Sequence, residues 1–90
     1  MSRLSNEQVQ KRLAELDGWE RIGDAILKQY TFGGFQEAMT FVNRVAVLAD
    51  EQDHHPDILI EYDHVTLTLS SHDAGGLTER DFRLAAGVDA

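Results

Sequence analysis

Two pairs of strand-forming runs in this sequence are each joined by only two residues, and so short a connection permits one arrangement, the antiparallel hairpin. The first pair is Trp19–Ile22 and Ala25–Phe32, rich in aromatic and branched side chains and separated by Gly23-Asp24, a dipeptide suited to the positive φ of a tight turn. The second is Ile58–Tyr62 and Val65–Ser70 about an Asp63-His64 turn. Here Val65, Leu67 and Leu69 alternate with Thr66, Thr68 and Ser70, the period of a strand with one buried face. A parallel sheet would need long crossovers at both points and is excluded.

The segments around the hairpins carry the helical period. Ser5-Asn6-Glu7-Gln8 has the form of a capping box, flanked by Leu4 and Val9 as a hydrophobic staple. Val9, Leu13 and Leu16 then form one stripe that ends at Asp17-Gly18, which predicts a helix over about residues 6–16. Gly33-Gly34 breaks the first hairpin, and a second helix is expected over about residues 35–51, with Phe35, Ala38, Met39, Val42, Val45, Ala46 and Ala49 on one face. Phe41, Val47 and Leu48 widen that stripe beyond a single side, which points either to a helix sunk deep in the core or, the favoured reading in so small a domain, to a subunit interface at Phe41 and Leu48. Gly75-Gly76 closes the strand region, and Thr78-Glu79-Arg80-Asp81 opens a third helix over about residues 79–87. The expected class is therefore α+β, a four-stranded antiparallel sheet with three helices on one face in the order α-β-β-α-β-β-α, built as one domain over residues 1–90.

A 90-residue domain buries only about 60–65% of its unfolded surface, which favours association into an oligomer. With no cysteine there is neither a disulfide framework nor a thiolate site. A net charge of −8 repels a phosphate backbone, so direct nucleic-acid binding is not expected. The opening residues lack the apolar core of a signal peptide, the apolar runs are too short to span a bilayer, and a cytoplasmic location is expected.

Chemistry gathers at element ends. His54, His55 and His72 flank the second hairpin, whose strands bring their ends together, and Asp50, Glu51, Asp53, Asp57 and Asp73 lie close by in sequence. Three imidazoles and a carboxylate suit zinc in number, but adjacent histidines on an extended chain diverge and one-face spacings are missing. A metal-free acid–base pair is the competing reading, since imidazole and imidazolium coexist near neutral pH; unremarkable exposed histidines are the third. Asp81 suits a helix cap and, at the mouth of the cluster, the orientation of a histidine. Asp50 is a polar residue near a helix end. His64, placed in the turn and exposed to solvent, is given no role. Trp19 is either core or a flat wall for a planar heterocycle.

The pattern Asp50-x3-His54-His55-Pro56-x5-Tyr62-x9-His72-x8-Asp81 resembles the signature of the pterin-4a-carbinolamine dehydratases. Gly18-Trp19, Asp24-Ala25-Ile26, Lys28-Gln29, Arg44-Val45-Ala46 and Gly76-Leu77-Thr78-Glu79-Arg80-Asp81 extend the resemblance over nearly the whole chain. It implies dehydration of a 4a-hydroxytetrahydropterin to a quinonoid dihydropterin, without cofactor or metal, in support of tetrahydropterin recycling. By the same resemblance His54, His55 and His72 form the catalytic pocket and Asp50 and Asp81 are supporting carboxylates. Pro56, Ser71, Asp73, Ala74 and Trp19 contact the substrate, the residues around Ser71 through backbone groups. A homodimer or homotetramer joined through the sheet edge and the second helix is implied, with a functional link to an aromatic amino-acid hydroxylase. Animal members often carry an aromatic residue where this chain has Ile58, which implies weaker stacking on the pterin. The alternative is a non-catalytic assembly or coactivator module acting through the apolar second helix.

Overall fold

Val65, Leu67 and Leu69 are almost wholly buried while Thr66 and Thr68 between them are half-buried, so the expected alternation sets one face of the sheet inward. The structure, a computed structural model, describes residues 2–90 and runs α1 (Asn6–Leu13), β1 (Glu20–Ile22), β2 (Ala25–Thr31), α2 (Phe35–Gln52), β3 (Asp57–Glu61), β4 (His64–Leu69), a 3₁₀ turn (His72–Ala74) and α3 (Glu79–Val88). The two hairpins join through their second strands, giving the all-antiparallel order β1-β2-β4-β3. Val9 of α1, Ala38, Phe41 and Val45 of α2, and Phe82, Leu84, Ala85 and Val88 of α3 close over Ile26, Val65, Leu67 and Leu69 in one core. Three helices over one face of a four-stranded sheet is the architecture expected.

The differences have local causes. Helix α1 stops at Leu13 instead of residue 16, because its last turn tightens into i→i+3 bonds from Glu15 to Arg12 and from Leu16 to Leu13 before Gly18 turns the chain at φ +78°. Leu16 still packs against the core. The second hairpin turns one residue earlier than expected, at Tyr62-Asp63, with Tyr62 at φ +53°. His64 is therefore not an exposed turn residue. It is half-buried as the first residue of β4, paired with Thr31 and Glu61, and its Nδ1 contacts Asp63 Oδ1.

Phe41 and Leu48 are corrected more substantially. Phe41 is only 8% exposed, its ring 4.6 Å from that of Tyr30 and 5.0 Å from that of Phe32, and Leu48 packs into the core beside Gly87 of α3. Helix α2 packs against both the sheet and α3, so two of its sides are buried within one chain and the widened stripe needs no second subunit. The large apolar side chains that α2 leaves outside are Phe35 and Val47.

One polar cluster anchors α3 to the first hairpin. Lys28 sits on the inward face of β2, opposite Leu67, and its stem carries the ammonium out to Asp17 O and Asp89 Oδ2. Asp89 also accepts from Trp19 Nε1 at 2.9 Å and Tyr30 OH at 2.6 Å. Partial burial works against ionisation of Asp89, but the hydrogen bonds from Tyr30, Trp19 and Lys28 outweigh it and hold the carboxyl below its ordinary range. Burial, and then the same bond to Asp89, pushes the Tyr30 phenol up. A carboxyl depressed on folding contributes stability that is present above its unfolded value, about 3.9, and is lost as pH falls through the folded one. Asp89→Asn is therefore expected to cost about 1–2 kcal/mol at pH 7 and progressively less in acid. Urea titrations of both proteins at pH 7 and pH 3 check this, the two curves converging at the lower pH.

Candidate active site

The site is made by the end of α2. Asp53 takes the left-handed conformation at φ +50°, the helix closes with His54 N–H bonded to Ala49 O, and the chain leaves extended into His54-His55-Pro56. Successive residues of an extended chain face opposite ways, and the two histidines do so. His54 points inward and is 8% exposed, with Nε2 2.6 Å from Asp81 Oδ1. His55 points outward, its Nε2 2.8 Å from Asp50 Oδ1, both side chains mostly in solvent.

The hairpin supplies the opposite wall. Asp57 pairs with Thr68, and continuing that register by three residues sets His54 across from Ser71. Ser71 is buried and its Oγ–H donates to Asp81 Oδ2 at 2.9 Å. Asp81 itself is wholly buried at the third position of α3, where the same Oδ2 accepts the Thr78 N–H at 2.9 Å in a complete capping box. One carboxylate thus caps a helix with one oxygen and holds an imidazole with the other. Thr78 completes the cluster through a 2.8 Å hydroxyl contact with Ser71. Sequence reasoning read Thr78 only as a helix cap; the signal for more was Asp81, already aimed at it from three residues on.

His72 follows Ser71 directly and is exposed at the start of the 3₁₀ turn, so the hairpin does bring its histidine to the same end as His54. Asp73 is tied to Arg80 at 2.7 Å; that bond holds its carboxyl below the usual range and fastens the turn to α3. Gly75, at φ +74°, completes the reversal beside half-buried Ala74. Pro56 stands next to His55, immediately before β3.

Two expected contacts are not offered. Trp19 is 7% exposed within the core, its indole N–H committed to Asp89. Asp89 lies eight residues beyond Asp81 on α3, about 12 Å at helical rise, so Trp19 is no wall of this histidine cluster: an indole buries its ring and takes one acceptor, and Asp89 provides it. Ser71 has no backbone group to spare, since its N–H bonds Gly76 O and its carbonyl accepts from Ala74 and Gly76. Among the described residues, no three His, Asp or Glu side chains converge as a metal-ligand set.

A buried carboxylate that fixes one imidazole beside a second, solvent-facing imidazole has the parts for paired proton transfer to a small molecule at the surface. Comparison with known proteins places this arrangement in context. Residues 2–90 match the family model described as pterin 4 alpha carbinolamine dehydratase. A Thermomicrobium roseum protein that carries the provisional name pterin-4-alpha-carbinolamine dehydratase is 55% identical over 85 residues, covering 94% of this chain and 91% of that one. A Roseiflexus protein of the same provisional name is 48% identical, covering 98% and 95%. Among solved structures, a transcriptional coactivator/pterin dehydratase from Brucella melitensis superposes with a TM-score of 0.94 at 32% identity, over 98% of this chain and 96% of that one. A pterin dehydratase-like protein identified as a RuBisCO assembly factor in the alpha-carboxysome gives 0.68 at 28% identity, over 81% and 87%.

The two carboxylates differ in what their removal strands. Asp81→Ala would leave the Thr78 N–H, the Ser71 hydroxyl and the His54 imidazole without their buried acceptor, at an expected cost of about 2–4 kcal/mol. Asp50→Ala, at a side chain 77% exposed, is expected to change stability by less than about 0.5 kcal/mol. Denaturant midpoints of the two variants and the parent check the contrast.

Proposed function

This chain belongs to the pterin 4 alpha carbinolamine dehydratase family, and on that premise we propose that it removes water from a 4a-hydroxytetrahydropterin. In this elimination the C4a–O bond breaks as an acid protonates the departing hydroxyl, a base takes the N5 proton, and the N5 electrons form the new double bond to C4a. The products are quinonoid dihydropterin and water, atoms and charge balance, and no cofactor is consumed. His54, His55 and His72 supply acid and base, with Asp81 and Asp50 as their carboxylate partners. His72, Asp73 and Ala74 in the exposed turn, with Pro56 just ahead of β3, receive the ring.

The observation that carries this reading is the His54–Asp81 pair, because a buried polar network is costly to retain unless every member is satisfied, and here it ends on an imidazole. Ordinary surface histidines would have no such foundation. The protein so read works in the cytoplasm, recycles the pterin of an aromatic amino-acid hydroxylase, and functions as a homodimer or homotetramer. The outer edge strand β3 and the exposed Val47 of α2 are the surfaces for that association.

A second reading, a non-catalytic assembly or coactivator module, is favoured by one feature: Phe35 and Val47 stand exposed on α2, at 44% and 63%. Turnover separates the two. The rate of quinonoid dihydropterin formation from freshly generated carbinolamine is expected to rise with the protein present. His54→Ala or His72→Ala is expected to lower the catalysed rate about 100-fold or to the spontaneous rate. Folded parent protein that gives only the spontaneous rate would move the assignment to the assembly role.

A further inference from the structure

The two ring nitrogens of His54 meet different surroundings. Nε2 lies 2.6 Å from Asp81 Oδ1 inside the protein. Nδ1 bonds to nothing among the described residues, yet it is not a buried orphan, since Gln52 Oε1 is the one buried side-chain polar atom without a partner among them. Nδ1 is therefore at the surface, within the 8% of His54 that remains exposed.

The direction of the hydrogen bonds behind Asp81 settles which nitrogen carries the proton. Ser71 has one hydroxyl proton and gives it to Asp81 Oδ2, so in the 2.8 Å contact between hydroxyls Thr78 is the donor to Ser71. Thr78 Oγ1 in turn accepts the Arg80 N–H at 3.2 Å. The Thr78 N–H also ends on Asp81 Oδ2. Every donor runs toward the carboxylate, Oδ2 is filled twice, and Oδ1 is left to accept from the imidazole. A neutral imidazole has one N–H; with that proton held on Nε2 by Oδ1, Nδ1 is a bare lone pair facing solvent.

We propose that Ser71 and Thr78 are positioning residues that act through Asp81 to hold neutral His54 in its Nε2–H tautomer, making Nδ1 the nitrogen that exchanges a proton with the pterin. The tautomer follows from the network alone; only the identity of the proton's partner rests on the dehydratase reading. The Nε2 proton stays with Asp81 throughout, whether His54 acts as base or, once protonated on both nitrogens, as acid.

Long-range ¹H–¹⁵N correlation spectra of the uniformly labelled full chain, recorded where the ring is neutral, report the tautomer directly. The parent is expected to show His54 as Nε2–H. Ser71→Ala, which leaves the carboxylate as acceptor but less firmly oriented, is expected to keep the Nε2–H ring and to lower kcat about tenfold, at the lower end for loss of a histidine's orienting partner, with KM within about twofold, and Ser71→Thr, which keeps the hydroxyl, to restore kcat. An Nδ1–H tautomer in the parent, or a Ser71→Ala variant with unchanged kcat, would overturn the proposal. Should Ser71→Ala fail to fold, the parent spectrum decides alone. An Nε2–H ring in a protein that does not turn over would uphold the network and reject the dehydratase reading, whereas turnover with an Nδ1–H ring would do the reverse.

Discussion

A carboxylate with no exposure to solvent is the condition on which the rest of this structure depends. Burying Asp81 without partners would be prohibitive, and its partners come from three parts of the chain: the Thr78 N–H at the start of α3, the Ser71 hydroxyl just past β4, and the His54 ring just past α2. Satisfying one side chain therefore fixes how the end of the hairpin, the beginning of one helix and the end of another meet. The histidine is held because the fold needs it held, and a site built this way has little freedom to be misaligned while the protein is folded.

How much of this was legible beforehand follows the range of the physics involved. The hairpins, both capping boxes and the helix starts were readable because turn chemistry, caps and alternation act within a few residues, whereas the joining of the two hairpins through β2 and β4 is a long-range pairing that two short connections leave open. That His54 and His72 lie at the same end of the second hairpin was readable for the same reason, since a hairpin must bring its ends together. The pairing of His54 with Asp81 spans 27 residues and was visible only as a compatible second use of a helix cap. Resemblance to a family pointed at both residues but not at the contact between them or at Thr78 behind it.

Two of the differences share a cause as well. Phe41 and Leu48 looked like an interface because a helical stripe shows how wide the apolar face is, not how many neighbours cover it, and α3 turned out to be the second neighbour. Trp19 looked free to line a pocket because nothing local reveals that Asp89, near the far end of the described chain, completes its hydrogen bonding. His64 moved from turn to strand through a one-residue shift at Tyr62, whose left-handed conformation is unusual for a side chain of that size. For the helix stripe and for Trp19 the deciding partner was distant in sequence, and composition or period carried no trace of it.

The opposed directions of His54 and His55 reach beyond chemistry into the kinds of change this segment can absorb. Between Asp53, which ends α2, and Asp57, which begins β3, inward and outward positions alternate strictly. Inserting or deleting a single residue there would exchange the two sides, presenting the solvent-paired imidazole to the buried carboxylate and expelling the buried one. Spacing in this stretch is thus more constrained than composition: drift among descendants of this sequence can rewrite neighbouring side chains, but gaps in the stretch would be selected against.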